Sequence, residues 1–179
     1  MPATRDLTEL FSPLARFYRK SGVELPEIEP LEGHEVPGSA GKLLVHDGDM
    51  TSRLRTHHGA EIGLRVCSSV QENGDLYRLV VLFREDTETP VEFGAIRIML
   101  ERLPESARAR IEAGKEPLGA ILESEKVPFT SHPQSYFQYT SDAFISLLLD
   151  APVHASLFGR CNILATGGET FAEIVEILP

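Results

Sequence analysis

The sequence predicts an α+β fold in which helices pack on an antiparallel β-sheet. Asn73-Gly74 and Gly167-Gly168 each separate two apolar runs, and these dipeptides are typical of the tight turns of β-hairpins. Segments with helical spacing interrupt the hairpins rather than alternating with single strands. Because hairpins pair antiparallel strands, this arrangement favours an antiparallel sheet with helices packed on it.

Composition indicates one globular domain. A chain of 179 residues with 42% hydrophobic and 25% charged residues can bury a proper core, so we expect a single domain over residues 1–179. A helix and a proline-rich loop would occupy residues 1–40, and the core residues 41–179. The formal charge of −10 argues against a nucleic-acid partner. No stretch has the roughly 20 apolar residues that a membrane helix needs, so we expect a cytoplasmic protein without a membrane partner.

Helices are expected in five segments. Each of these segments has apolar residues at helical spacing, or residues at its ends that are typical of helix termini. The segments are residues 4–20, 49–58, 104–113, 117–123 and 141–149. Asp49 and Ser141 are expected to cap two of them, and Pro13 to kink the first. Closely spaced prolines and glycines predict an extended loop without regular structure between residues 23 and 40.

Two predicted strands each contain an arginine among apolar neighbours. Arg78 lies in the run 76–83 and Arg97 in the run 91–100. An arginine keeps its charge at any relevant pH, so a buried one must be matched by a carboxylate or a phosphate. That anion can belong to the protein, as in a structural ion pair, or to a ligand. The side chain can also extend to the edge of the sheet and reach solvent.

The last predicted strand contains two glutamates, Glu173 and Glu176. Their spacing is odd, so they face opposite sides of a regular strand. One of them can point into a cavity, where burial would raise its pKa and let it exchange protons near neutral pH. The alternative is an ion pair with Arg78, Arg97 or Arg160. Spacing alone does not choose between the two glutamates.

No metal site is predicted. Cys67 and Cys161 lie far apart in strand-like runs and are expected to be buried free thiols. The six histidines show no ligand spacing with cysteines or acids.

Four motifs, in order from about residue 43 to the end, resemble the chorismate lyase family. They are Asp49-Met-Thr51, Tyr77-Arg-Leu-Val-Val-Leu82, Pro117-Leu-Gly119, and Leu157-Phe-Gly-Arg160 with the closing Glu-x-x-Glu-x-Leu-Pro. The resemblance implies that pyruvate is eliminated from chorismate to give 4-hydroxybenzoate in a buried cavity. It also implies that neither a metal nor an organic cofactor takes part, and that the partner is a small anionic substrate.

The resemblance also assigns roles to residues. Arg78 would bind the ring carboxylate, assisted by backbone N–H groups near Met50 and Leu118. Arg97, whose match requires a small insertion in this chain, would bind the enolpyruvyl carboxylate.

A catalytic glutamate of the last strand would contact the ring hydroxyl. Glu173 and Glu176 both match that position, and the distance from Pro179 favours Glu176.

Two other hypotheses remain. The same fold can serve as a non-catalytic domain that binds a small aromatic carboxylate, as in the ligand-binding domains of some transcription regulators. Alternatively, the arginines and glutamates form a buried ion network without a ligand. A cavity bounded by Arg78 and a glutamate would count against that network, whereas a cavity filled by Tyr139 or Phe144 would favour it.

Overall fold

Seven strands form one antiparallel sheet in this computed structural model, which describes residues 7–179. The strands are Ile28–Leu31 (β1), Ile62–Glu72 (β2), Asp75–Arg84 (β3), Pro90–Met99 (β4), Thr130–Thr140 (β5), Ser156–Thr166 (β6) and Glu169–Leu178 (β7). Their order across the sheet is β1-β5-β6-β7-β4-β3-β2, and all neighbouring pairs are antiparallel. The predicted α+β class with an antiparallel sheet is confirmed.

Both predicted hairpin turns are present. Asn73 and Gly74 connect β2 to β3 with φ angles of 52° and 85°, and Gly167 and Gly168 connect β6 to β7 with φ angles of 58° and 85°. Two consecutive positive φ angles match the right-handed twist of the flanking strands, which is why Asn-Gly and Gly-Gly are favoured there.

Helices cover both faces of the sheet. Within residues 7–179 they are Leu7–Leu10 (α1), Ser12–Ser21 (α2), Gly38–Leu44 (α3), Met50–His58 (α4), Glu105–Ala113 (α5), Leu118–Ser124 (α6) and Ala143–Leu149 (α7). Side chains of α1, α2 and α7 share a core with Leu79, Phe93 and Val175, whereas those of α3 to α6 pack with Leu82 and Ile96. None of these helices is long and apolar enough to cross a membrane.

The alternation of strand side chains decides which residues meet which helices. Side chains alternate between the two faces along Leu76 to Leu82 of β3, Glu92 to Ile98 of β4 and Ala172 to Leu178 of β7. In these segments even-numbered residues face α3 to α6 and odd-numbered residues face α1, α2 and α7. We call these the even face and the odd face of the sheet. Arg78 and Glu176 therefore lie on the same face.

The N-terminal region differs from its prediction. Instead of one kinked helix, α1 ends at Leu10, and α2 begins at Ser12 with Pro13 in its first turn, where the missing N–H costs nothing. Thr4, the predicted start, lies outside the described residues. The predicted loop at 23–40 is wrong, because it contains β1, a 3₁₀ turn and the start of α3. Only the pairing of β1 with β5 orders this segment as a strand, and that pairing is a tertiary contact.

Two smaller predictions are also corrected. Cys161 is buried as expected, but Cys67 is exposed because it lies at a bulge in the edge strand β2. The helix α7 is capped by Asp142, whose carboxylate accepts a hydrogen bond from the N–H of Ile145, and not by Ser141. The Ser141 hydroxyl instead donates to the carbonyl of Pro152.

Gly159 of β6 leaves no room for a side chain. A Cβ atom at this position would collide with the backbone carbonyl of Glu176 and with the ring of Phe137. We expect Gly159→Ala to lower the free energy of unfolding by about 1–3 kcal/mol, as overpacking in a core typically does. Urea unfolding would measure the loss, with Gly48→Ala as a control because the Cβ there meets only the ring of His46 at 3.5 Å. Equal stability of the two variants would contradict this account of the packing.

Candidate functional site

A cavity lies between the even face of the sheet and the beginnings of α4 and α6. Its volume is about 70 Å³. The apolar part of its wall includes Leu64, Val80, Leu82, Ile96, Leu164 and Ile174. Its polar side chains are Asp49, Thr51, Arg78, Glu92, Asn162 and Glu176. An apolar enclosure with a few inward polar groups is the usual form of a small-molecule site.

Two of the predicted contact residues, Met50 and Leu118, lie in the cavity wall. Each is the first residue of a helix, and the two helix starts approach closely because residue 119 is a glycine. A Cβ atom on Gly119 would lie 2.6 Å from Oδ1 of Asp49 and 3.0 Å from the hydroxyl of Thr51. The Asp49 carboxylate accepts a hydrogen bond of 2.8 Å from the N–H of Ser52 and so caps α4 as predicted.

Arg78 is buried in the cavity wall without an acidic partner. It is 3% exposed, and its Nη1 donates one hydrogen bond of 2.8 Å to the carbonyl of Ile111. Within residues 7–179 no carboxylate forms an ion pair with it, and its Nε–H has no hydrogen-bond partner. Burial lowers the pKa of Arg78 to about 10, so the side chain remains charged at neutral pH. A charged, incompletely paired guanidinium therefore faces the cavity.

Glu92 lies at the other end of the cavity, and Glu176 lies next to it on β7, opposite Gly94. Glu176 forms an ion pair with the fully buried Arg160, whose Nη1 also donates to the backbone carbonyls of Leu44 at 3.1 Å and His46 at 3.0 Å. Glu92 is 3% exposed, and its Oε2 has no hydrogen-bond partner among the described residues. Burial, reinforced by the negative charge of Glu176, raises the pKa of Glu92 well above its usual range.

The register of β3 and β4 separates the two ends of the cavity. Arg78 lies opposite Ile96, and Glu92 lies opposite Leu82, four residues further along β3. At a rise of about 3.3 Å per residue this places their backbones about 13 Å apart along the strands. Gly94 lies between them, where a Cβ atom would approach Val80 to 3.1 Å. The absence of a side chain there keeps the middle of the cavity open.

Arg97 and Glu173 are not in this cavity, which corrects the expectation that both arginines share one site. Arg97 lies opposite Tyr77, the neighbour of Arg78, and therefore points to the odd face. There its Nε donates to Asp75 at 2.8 Å, and its Nη1 lies 3.3 Å from Oε2 of Glu173. The predicted ion pairs thus form between Arg97 and Glu173 and between Arg160 and Glu176. Among the described residues, Arg78 forms no ion pair.

The segment around α7 does not fill the cavity. Ile145 and Leu149 of α7 are buried in the odd-face core, and the ring of Phe144 makes edge contacts with Tyr18 and Phe93 on that face. Tyr139 is also on the odd face, where its hydroxyl hydrogen-bonds to that of Tyr18 at 2.7 Å.

Sequence reasoning missed Glu92. A usable signal was present, because Glu92 stands between Val91 and Phe93 in a predicted strand, as Arg97 stands between two isoleucines. Its face could not be predicted from the turn at residues 85–90, because Phe83 pairs with Pro90 and a register shift then pairs Leu82 with Glu92, which brings Glu92 to the face of Arg78.

The buried carboxyl group of Glu92 makes stability depend on pH. In the folded protein Glu92 keeps its proton above pH 4.5, where the unfolded chain has lost it, so the free energy of unfolding falls as pH rises through this window. The slope is at most about 1.4 kcal/mol per pH unit. We expect Glu92→Gln to be more stable than the original protein at pH 8 and to lose that advantage toward pH 5. Urea unfolding at both pH values, with the exposed Glu85→Gln as control, tests this, and a pH-independent difference would contradict it.

Comparisons with known proteins agree on the fold. No protein-family model and no curated protein matches the sequence. Among solved structures, PhnF from Mycobacterium smegmatis aligns with a TM-score of 0.58 at 15% identity, over 99% of this chain and 86% of that one. The effector domain of the same protein aligns with a TM-score of 0.55 at 13% identity, over 84% of this chain and 91% of that one.

A further similar structure is the ligand-binding domain of a proposed GntR-family transcriptional regulator from Bordetella bronchiseptica. It aligns with a TM-score of 0.52 at 13% identity, over 66% of this chain and 85% of that domain. At these identities the comparisons establish the fold alone. The chain therefore has the fold of the effector and ligand-binding domains of such regulators.

Proposed function

We propose that this chain is a ligand-binding domain that takes a small molecule with one carboxylate into the cavity, where Arg78 binds that carboxylate. The observation that supports this most strongly is the buried guanidinium of Arg78, which faces the cavity without an acidic partner among the described residues. Burying a charge without a partner is costly, so a carboxylate that enters the cavity gains a strong interaction. The planar fork of arginine suits a carboxylate well.

The charges in the cavity favour one carboxylate over two. Arg78 is the one cationic side chain in the part of the cavity wall that residues 7–179 form, whereas Glu92 lies at the far end and Glu176 lies between them, opposite Gly94. Chorismate has two carboxylates, and the second would meet those acids because Arg97 points to the other face. The similarity to effector and ligand-binding domains also supports binding over catalysis.

Size adds a constraint on the ligand. The cavity of about 70 Å³ is smaller than the cavity of about 150 Å³ that accommodates benzene in another protein. Small aliphatic carboxylates would enter the cavity as it stands.

Chorismate lyase activity is the second candidate. It is supported by Glu92, a buried carboxyl group with a raised pKa in the cavity wall, which is the kind of group that exchanges protons near neutral pH. Glu176, which lies next to it on β7, would assist as the resemblance implies.

Two measurements on the purified protein separate these functions. Calorimetric titration with acetate, butyrate, benzoate and 4-hydroxybenzoate tests binding, and release of pyruvate from chorismate tests catalysis. We expect at least one monocarboxylate to bind and pyruvate to appear only at the spontaneous rate. Binding of none of them by folded protein would overturn the proposal, and pyruvate release that Arg78→Met abolishes would establish the lyase instead.

A further inference from the structure

We propose that the cavity selects a dipolar ligand, whose carboxylate binds Arg78 and whose amino group binds Glu92 at the opposite end. This inference rests on the proposed function, because it concerns the same cavity and names the class of ligand as an amino acid or an amino-substituted carboxylate. It is based on the arrangement of charges along the cavity.

The wall of the cavity around Glu92 is acidic. Glu92, Glu176 and Asp49 all line the cavity, and the charges of Glu176 and Asp49 both act on Glu92. The nearby cation, Arg160, is not part of the wall, because its donors are directed to Glu176 and to backbone carbonyls. A ligand group at this end therefore meets carboxyl oxygens, which favour hydrogen-bond donors and positive charge.

His46 does not alter this balance. Burial and the positive charge of Arg160 lower the pKa of His46 to about 4, so its ring is uncharged at neutral pH. Its Nδ1 accepts a hydrogen bond of 3.0 Å from the N–H of Gly48.

Glu92 needs a partner that the described residues do not supply. Its Oε2 is buried without a hydrogen bond, and an unsatisfied buried acceptor destabilises the empty site. An ammonium group would bring three donors and a charge, whereas a hydroxyl would bring a single donor. On binding an ammonium, Glu92 would become a carboxylate, and its proton would pass to the buffer.

Calorimetry with matched ligands tests the inference. The amino-substituted series is glycine, β-alanine, 4-aminobutyrate and 5-aminopentanoate, and the control series is acetate, propionate, butyrate and pentanoate. Varying the chain length covers the separation between Arg78 and Glu92. We expect at least one amino-substituted acid to bind about 10-fold or more tightly than its control, because a hydrogen bond between charged groups typically contributes a factor of about this size to affinity.

Two further results are expected. Glu92→Gln should remove the preference for the amino group, so that each amino-substituted acid binds no more tightly than its control, and the exposed Glu85→Gln should retain the preference. Titrations of the original protein in buffers of different ionisation enthalpy should show that a proton is released when the amino-substituted acid binds, but not when its control binds.

The outcomes distinguish this inference from the function on which it rests. If plain carboxylates bind as tightly as every amino-substituted partner, the dipolar preference is wrong and the proposed function stands. If neither series binds to folded protein, the proposed function is wrong and the inference falls with it. The comparison of ligands on the original protein decides the matter even if the Glu92 variant fails to fold.

Discussion

Replacing Arg78 with methionine is expected to abolish carboxylate binding and, at the same time, to stabilise the ligand-free protein. Removing one partner of a buried, hydrogen-bonded charge pair typically costs about 2–5 kcal/mol of binding free energy, or a factor of about 30 or more in Kd. The opposite effect on stability follows because Arg78 lacks an acidic partner among the described residues. Methionine has a similar length and no buried charge.

The surroundings of Arg78 tolerate this change. Its one acceptor, the carbonyl of Ile111, also accepts a hydrogen bond of 3.0 Å from the N–H of Gly114 and so remains satisfied. We expect the free energy of unfolding to rise by about 1–3 kcal/mol, which is the usual cost of leaving a buried polar group unsatisfied. Urea unfolding of Arg78→Met would measure it, with the exposed Arg65→Met as control. A loss of stability would show that Arg78 has a structural role and would contradict our account of an empty anion site.

Arg160→Met is expected to have a large effect in the opposite direction. Arg160 is fully buried and forms the ion pair with Glu176, beside which the second buried acid, Glu92, already lies. Removing the cation leaves an uncompensated buried carboxylate, which typically costs about 3–5 kcal/mol of stability. Urea unfolding should therefore show a strongly destabilised or unfolded protein.

A double variant tests the origin of that loss. Replacing both partners, as in Arg160→Met with Glu176→Met, removes the unpaired charge and should recover much of the stability, because an apolar pair of similar volume is often as stable as a buried ion pair. Failure of the double variant to recover would indicate that the hydrogen bonds from Arg160 to the backbone of Leu44 and His46, rather than the ion pair, hold this region together. Opposite effects on stability are expected for Arg78 and Arg160, because both arginines are buried but, among the described residues, only Arg160 forms an ion pair with an acid.

The fold was predictable to the extent that local signals determine it. The turns at Asn73-Gly74 and Gly167-Gly168 need positive φ angles, and the two residues at each turn are of types that adopt such angles. The strand β1 was not predicted, because its segment contains Pro30 and becomes a strand only by pairing with β5. Tertiary pairing overrides local propensity in such edge segments.

The candidate site was predicted in part. Arg78, Met50 and Leu118 do line one cavity. The expectation for Arg97 failed because strand side chains alternate, and Arg97 is paired with Tyr77 rather than with Arg78. Sequence reasoning applied this alternation to Glu173 and Glu176 within one strand but not across neighbouring strands, whose register depends on the turn at residues 85–90.

The resemblance to chorismate lyase explains the fold better than it explains the charges. The resemblance assigns one arginine to each carboxylate of the substrate, whereas the described part of this cavity contains Arg78 together with the acids Glu92 and Glu176. Glu92 therefore becomes the residue that distinguishes this cavity from the one the resemblance implies. Gly94 has no side chain and so leaves space beside Glu92 for a ligand.

In the proposed function a ligand carboxylate binds to Arg78 inside the cavity. The most direct test is a proton–nitrogen correlation spectrum of the arginine Nε–H groups, recorded with and without a saturating monocarboxylate, with Arg78→Met used to assign the resonance. Because the Arg78 Nε–H lacks a partner in the free protein, we predict that the carboxylate moves this resonance downfield and slows its exchange with water. An unchanged Arg78 resonance at a concentration where calorimetry shows saturation would place the binding site elsewhere and contradict the account.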